Sequence, residues 1–140
     1  MKLIIDDKIP FIRGEAEKLG ETVYLPGAKI TAEDVREADV LITRTRTLCN
    51  KALLEGAKVQ FIATATIGFD HLDVDYLREA DIAWTNCPGC NATSVAQYVE
   101  TSLLLLAKEG KVELSDCTVG VVGVGNVGRR VVERLERMGC

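Results

Sequence analysis

A chain of 140 residues with 47% hydrophobic content can bury one core of ordinary size, and any second core would be incomplete. Its formal charge of -4, with acids and bases interspersed, leaves no basic stripe for a phosphate backbone, so nucleic acid is not an expected partner. The longest leucine run, Leu103 to Leu106, is far too short to span a bilayer, and Asp6 and Asp7 interrupt the start before an apolar signal region can form, so no membrane is expected either.

Lys2 to Asp6 reads as a first strand, short, apolar and β-branched. Pro10 opens a helix that Gly20 closes, and Thr22 to Leu25 follows as a strand. Thr31, with Asp34 three residues on, caps the next helix, and Val40 to Thr43 is the third strand. Asn50 leads a helix over Lys51 to Glu55, Gln60 to Ala63 is the fourth strand, Val74 to Ala80 a further helix, and Ile82 to Thr85 the fifth strand. Regular alternation of this kind implies an α/β fold, a mostly parallel sheet covered on both faces.

From Thr93 one long helix carries Val95, Val99, Leu103 and Leu106 along a single stripe, as a connector, as the last helix of the first domain, or as both. After Gly110 a strand, Thr118 to Val122, begins a second unit, with Asn126 to Met138 as its helix. The boundary is expected inside the long helix or near Lys108 to Asp116. A lone strand exposes apolar edges, so residues after about Asp116 are expected to be mobile or packed against another chain.

Gly123-Val124-Gly125-Asn126-Val127-Gly128 joins that strand to that helix. In a dinucleotide-binding turn the first Gly makes the bend, the second admits the pyrophosphate, and the third lets helix and strand pack closely. The helix amino terminus then offers free N–H groups and a positive dipole end. A tight turn that binds nothing is the rival reading. The acidic residue expected about 20 positions further on would hold the ribose, and twelve residues follow Gly128, so the preference between NAD and NADP is not legible.

Thr43-Arg44-Thr45-Arg46-Thr47 and Thr64-Ala65-Thr66-Ile67-Gly68 lie at the carboxyl ends of the third and fourth strands, where parallel α/β sheets gather ligands. Two guanidinium groups among hydroxyls suit a carboxylate or phosphate on a small molecule, or else form a solvated turn. Five scattered cysteines, an odd number, argue for reduced thiols and a cytosolic protein. Cys87-Pro88-Gly89-Cys90 has the spacing of a redox pair, yet Pro88-Gly89 is a turn signal and Asn91 or Thr93 a cap for the long helix. No zinc set is completed around it. His71, the single histidine, stands between Asp70 and Leu72 and is expected to be a hydrogen-bond partner rather than a catalyst.

Ala63 to Asp73, Asn86 to Gly89 and the glycine turn together resemble the D-isomer-specific 2-hydroxy-acid dehydrogenases, and the likeness runs over essentially all 140 residues. Within that family, Arg44-Thr45, Pro88 to Ala92 and Thr118 to Arg130 resemble the members acting on 4-phosphoerythronate. The resemblance implies that Thr45, where the family often has Ser, and Thr66 contact this substrate. It also implies that Asn126 and Val127 lie against the NAD pyrophosphate beside Gly123, Gly125 and Gly128. Oxidation of the 2-hydroxyl to a 2-oxo acid in vitamin B6 synthesis, and a homodimer of the longer protein, are implied as well. The family's catalytic arginine, glutamate and histidine match no position here, so no residue of this chain is assigned a catalytic role and the chain alone is expected to be inactive. Cys87 departs from the small or polar residue expected before Pro88.

The architecture so implied is a flavodoxin-like substrate domain over residues 1–92, a connecting helix over 93–112, and the first strand and helix of an incomplete Rossmann NAD-binding domain over 113–140. Because the family builds its substrate domain from both ends of the chain, residues 1–92 are expected to lack closing elements. Two rivals remain: a stand-alone binding module for phosphorylated sugar acids using Arg44, Thr45 and Thr66, and a thiol-redox protein using Cys87 and Cys90. Neither accounts for the glycine turn.

Overall fold

A computed structural model describes residues 1–140. Contacts divide the chain into two compact units, Met1–Cys87 and Pro88–Cys140. This division falls just before the long helix, which packs with the segment after it.

The first unit is a five-stranded parallel sheet: β1 (Lys2–Asp6), β2 (Glu21–Leu25), β3 (Val40–Thr43), β4 (Phe61–Thr64) and β5 (Ala83–Thr85), in the order β2-β1-β3-β4-β5. Side chains alternate across such strands. Ile4, Leu41 and Ile62 therefore share one face, buried with Val35, Leu53, Leu54 and Leu77 from the short helices α1 (Ala32–Val35), α2 (Lys51–Leu54) and α3 (Val74–Glu79). Leu3 and Ile5 point the other way and pack with Val40, Ile42 and the segment carrying Ile9, Ile12 and Ala16. On that second face Phe61 is 37% exposed. All five expected strands are present, each within a residue of its expected limits. Thr31 and Asp34 form the expected capping box at α1, and the Asn50 side chain accepts from the Leu53 N–H to start α2.

The helix expected from Pro10 to Gly20 is not formed. The backbone turns left-handed at Phe11 (φ 60°) and Gly14 (φ 86°), which no right-handed helix tolerates, and a single 3-10 turn, Ala16–Lys18, remains. Ile9, Ile12 and Ala16 nevertheless cover Leu3 and Ile5. Burial of that face, rather than helical hydrogen bonding, sets the path of the segment.

Asp6 ends β1 with its side chain fully buried. Its carboxylate accepts both Nε and Nη2 of Arg44, each at 3.1 Å, and Oδ1 also accepts the Lys8 N–H at 2.9 Å. The carboxylate is so closely covered that a Cβ on Gly27 would lie 2.3 Å from Oδ2.

In the second unit α4 (Ala92–Lys108) packs against α5 (Asn126–Arg137). Ala96, Val131 and Leu135 are buried, with Val99, Leu103, Val121 and Val127 against them, and Glu100 pairs with Arg134. The buried stripe of α4 runs through Ala92, Ala96, Val99 and Leu103, while Leu106, expected on it, is 36% exposed. Of the leucine run only Leu103 joins this cluster, and the short side chain of Ala96 at its centre permits close approach of the two helices. Thr118 to Val122 forms no strand ladder. A strand requires a neighbour for its N–H and C=O groups, and the sheet's strands all come from the first unit.

Removing the partner of a buried, hydrogen-bonded carboxylate such as Asp6 leaves its charge stranded. Arg44→Ala is therefore expected to cost about 3–5 kcal/mol in urea unfolding of the chain, and Arg44→Lys less. A loss below about 1 kcal/mol for Arg44→Ala would place the pair among surface ion pairs of little weight.

Candidate functional site

In a sheet of order 2-1-3-4-5 the ligand crevice is expected at the carboxyl ends of β1 and β3, where the chain reverses its direction of travel across the sheet. Here that point is filled. Asp6 and Arg44 occupy it, Gly27 closes on Asp6, and the Thr47 hydroxyl donates to the Gly27 carbonyl at 2.9 Å. Nε and Nη2 of Arg44 are thus committed to Asp6, which leaves Nη1 as the one nitrogen of this guanidinium outside the pair. Arg46 is exposed.

The open cavity lies one strand further along, beyond β3 and β4. It has a volume of about 310 Å³ and is lined by Thr45, Leu48, Gly68, Asp70 and His71. Two turns shape it. The Cys49 N–H bonds the His71 carbonyl at 2.8 Å and the Asp73 N–H bonds the Cys49 carbonyl at 2.9 Å, tying the segment after β3 to the segment after β4. The Thr66 to Gly68 turn is held by Asn86 Nδ2, which donates to the Ile67 carbonyl at 2.7 Å, and by the Cys87 N–H, which donates to the Thr66 carbonyl at 3.0 Å.

Behind this cavity runs a chain of side-chain hydrogen bonds. His71 Nε2 lies 3.0 Å from Thr64 Oγ1, Thr64 Oγ1 lies 2.7 Å from Thr66 Oγ1, and the Thr66 hydroxyl donates to the Gly68 carbonyl at 2.9 Å. A hydroxyl has one proton to give. Since Thr66 donates to a carbonyl, Thr64 must donate to Thr66, and His71 must donate from Nε2. This assignment alone puts a proton in each contact and fixes the imidazole tautomer. Burial holds the His71 imidazole below the ordinary histidine value, and the Asp70 carboxylate offsets only part of that effect. Burial likewise pushes the Cys49 thiol up to about 11, so it is held as an unreactive thiol.

The structure therefore brings Thr45, Gly68, Asp70 and His71 to one cavity and keeps Thr66 in its supporting network. His71 is a hydrogen-bond partner, as expected, though to the Thr64 hydroxyl rather than within its own turn. What the sequence did not disclose is the pairing of Asp6 with Arg44 and of Thr64 with His71. Only local signals were present: an acid closing a buried apolar strand, and a Thr two positions before Thr66 on the same side of an extended segment.

In the second unit the three glycines are not equivalent. Gly123 has φ 87°, where an L side chain is strained. A Cβ on Gly128 would lie 2.0 Å from the Gly123 carbonyl oxygen, so this position must be bare for the turn to close on α5. A Cβ on Gly125 would meet nothing within 4 Å, and Gly125 immediately precedes the first turn of α5, which carries no acid. The open side of Gly125 and the unpaired N–H groups of the first turn form a cradle suited to a phosphate. Gly89 (φ 77°) packs against the Asn126 side chain, with a Cβ there 3.1 Å from Cγ, which favours the turn reading of Pro88-Gly89. Cys87 and Cys90 are exposed thiols. Asn91 precedes α4 but its side chain makes no capping bond.

The family described as D-isomer specific 2-hydroxyacid dehydrogenase, catalytic domain, matches residues 6–138. The chain is 53% identical to erythronate-4-phosphate dehydrogenase of Bacteroides fragilis over 140 residues, 99% of this chain and 40% of that protein. It is 52% identical to the protein of the same name from Chromohalobacter salexigens, covering 97% of this chain and 36% of the other. The chain thus spans about two-fifths of the length of these relatives. Among solved structures it is similar to a D-2-hydroxyisocaproate dehydrogenase (TM-score 0.77, 18% identity, 99% of this chain and 51% of the other). It is similar also to an NAD-bound 3-phosphoglycerate dehydrogenase of Entamoeba histolytica (TM-score 0.73, 25% identity, 99% and 51%). No helix is long and apolar enough to cross a membrane. With the parallel sheet, the glycine turn and the family match in agreement, the chain belongs to the D-isomer specific 2-hydroxyacid dehydrogenases.

Proposed function

We propose that the longer protein of which these residues form part is a cytoplasmic enzyme of vitamin B6 synthesis. It oxidises 4-phospho-D-erythronate at the 2-hydroxyl to the 2-oxo acid with NAD. The observation that carries this reading is the identity of over half the residues with erythronate-4-phosphate dehydrogenases across nearly the whole chain. Residues 1–92 are read as part of the substrate domain, 93–112 as a connecting helix, and 113–140 as the start of the NAD-binding domain.

Thr45 and Thr66 are assigned to the substrate. Thr45 lines the cavity directly. Thr66 reaches a ligand by turning its hydroxyl away from Gly68, while the Thr64 hydroxyl, itself held by His71 Nε2, continues to donate to its oxygen. Asp70 in the lining suits the hydroxyl groups of the ligand and disfavours its phosphate. Gly123, Gly125, Asn126, Val127 and Gly128 are assigned to NAD, with the pyrophosphate over Gly125 at the amino terminus of α5. When bound, NAD supplies the hydride acceptor. His71 is not assigned as the proton acceptor, because it is 7% exposed and its Nε2 proton is committed to Thr64. A homodimer of the longer protein is part of the same reading, and the exposed Tyr98, Leu104 and Leu105 of α4 support it.

The direct test is NADH formation by the longer protein with 4-phosphoerythronate, D-lactate and 3-phosphoglycerate in parallel. Preference for 4-phosphoerythronate is expected, with no turnover by residues 1–140 alone. Equal rates on all three would remove the substrate assignment, and ligand binding indifferent to NAD would favour a binding module. Thr66→Val, which removes one hydrogen bond to a charged ligand, is expected to lower kcat/KM about 10–100-fold. An unchanged kcat/KM would confine Thr66 to a structural role.

The glycines separate binding from packing. Gly125→Ala should leave the unfolding midpoint of the chain unchanged, yet weaken NAD binding by the longer protein about tenfold or more. Gly128→Ala should lower stability first, because its Cβ cannot fit. The opposite pattern would overturn the cradle at Gly125.

Because the folded His71 value is depressed, the unfolded chain takes up a proton first as the pH falls. The stability that depends on neutral His71 is complete above about pH 6.5 and is lost as the pH falls below that value toward the folded one. Thermal unfolding of the chain against its His71→Asn variant should show this segment of pH dependence in the first and not in the second.

A further inference from the structure

Two cysteines that the sequence leaves unremarked stand together in the second unit. Cys117 Sγ lies 3.5 Å from Cys140 Sγ, although 23 positions separate them. Both are half-buried, and both line an open cavity of about 320 Å³ with Thr118, Val119, Val121, Val132, Leu135 and Glu136. The Cys117 thiol also faces the Leu114 carbonyl at 3.3 Å. The approach is set by packing. Leu135, buried against Ala96, accepts the Cys140 N–H through its carbonyl at 3.2 Å, and the 3-10 turn Leu114–Asp116 delivers Cys117.

We propose that Cys117 and Cys140 form a reversible redox modification site, closing to an intramolecular disulfide by exchange with a low-molecular-weight disulfide such as oxidised glutathione. One of the two, as thiolate, attacks a sulfur of the external disulfide. A mixed disulfide forms and one external thiolate leaves. The second protein thiolate then attacks the modified protein sulfur, the Cys117–Cys140 bond forms, and the second external thiolate leaves. Two protein thiols are oxidised by two electrons, the external disulfide is reduced to two thiols, and the two protons pass to the departing thiolates through solvent.

The second step is intramolecular and needs only a small movement, because the sulfurs are already in contact. The cavity gives the external disulfide its access. Burial and the neighbouring Cys117 sulfur raise the Cys140 thiol above its ordinary value, so exchange is favoured by alkaline conditions. The bond would close a loop containing the whole turn from Gly123 to Gly128, and so couple thiol state to the freedom of the segment assigned to the cofactor.

The test is exposure of the reduced 140-residue chain to oxidised glutathione in mildly alkaline buffer, with and without denaturant, followed by alkylation and peptide mapping. Loop-closure entropy favours the short Cys87–Cys90 loop in the unfolded chain. The native chain is expected to yield Cys117–Cys140 in about tenfold excess over any other disulfide, and denaturant should abolish that excess. In the oxidised native chain, amide exchange over Val119 to Gly125 should slow, and a thiol reductant should restore the faster rate. The proposal is overturned if Cys117 and Cys140 are recovered alkylated while Cys87 and Cys90 are oxidised. It is equally overturned if native and denatured chains give the same products.

Discussion

The pair between Asp6 and Arg44 decides where a ligand can and cannot sit in the first unit. A carboxylate with no solvent exposure needs its charge answered, and a bidentate guanidinium with one backbone N–H answers it. The consequence is geometric. The carboxyl ends of β1 and β3 are filled, so the space left by the sheet opens beyond β3 and β4. Arg44 leads directly into Thr45, so the ion pair also anchors the residue that lines that space.

Hydrogen bonding fixes the second wall of the cavity. From Thr64 at the end of β4, a directed run of donors reaches the Gly68 carbonyl and sets which lone pairs face outward. Burial disfavours the charged form of His71, and its Nε2 proton is given to the Thr64 hydroxyl, which makes it a positioning group in this run. In the second unit the decisive constraint is steric. Gly128 permits contact between the turn and α5, and the bare, open Gly125 leaves room at the helix terminus.

The five strands were legible because buried parallel strands write themselves as short β-branched runs between caps and turns, as at Lys2–Asp6 and Val40–Thr43. Pro10 to Gly20 misled because an apolar segment covering a sheet need not be helical, and a left-handed residue at Phe11 leaves no mark in composition. Thr118 to Val122 has the pattern of a strand, but a ladder depends on a neighbour that no local pattern supplies. At the candidate site, Thr45 and the glycine turn could be read from motif and position. The commitment of Arg44 to Asp6 could not, since it joins residues 38 positions apart. The contact between Cys117 and Cys140 was hidden for the same reason.

The most direct measurement is a crystal structure of the longer protein with 4-phosphoerythronate bound. The account predicts the ligand beside Thr45 and Thr66, with both Arg44 nitrogens still on the Asp6 carboxylate. A ligand oxygen on the Arg44 guanidinium, with the Asp6 pair broken and the β1 and β3 ends opened, would contradict it.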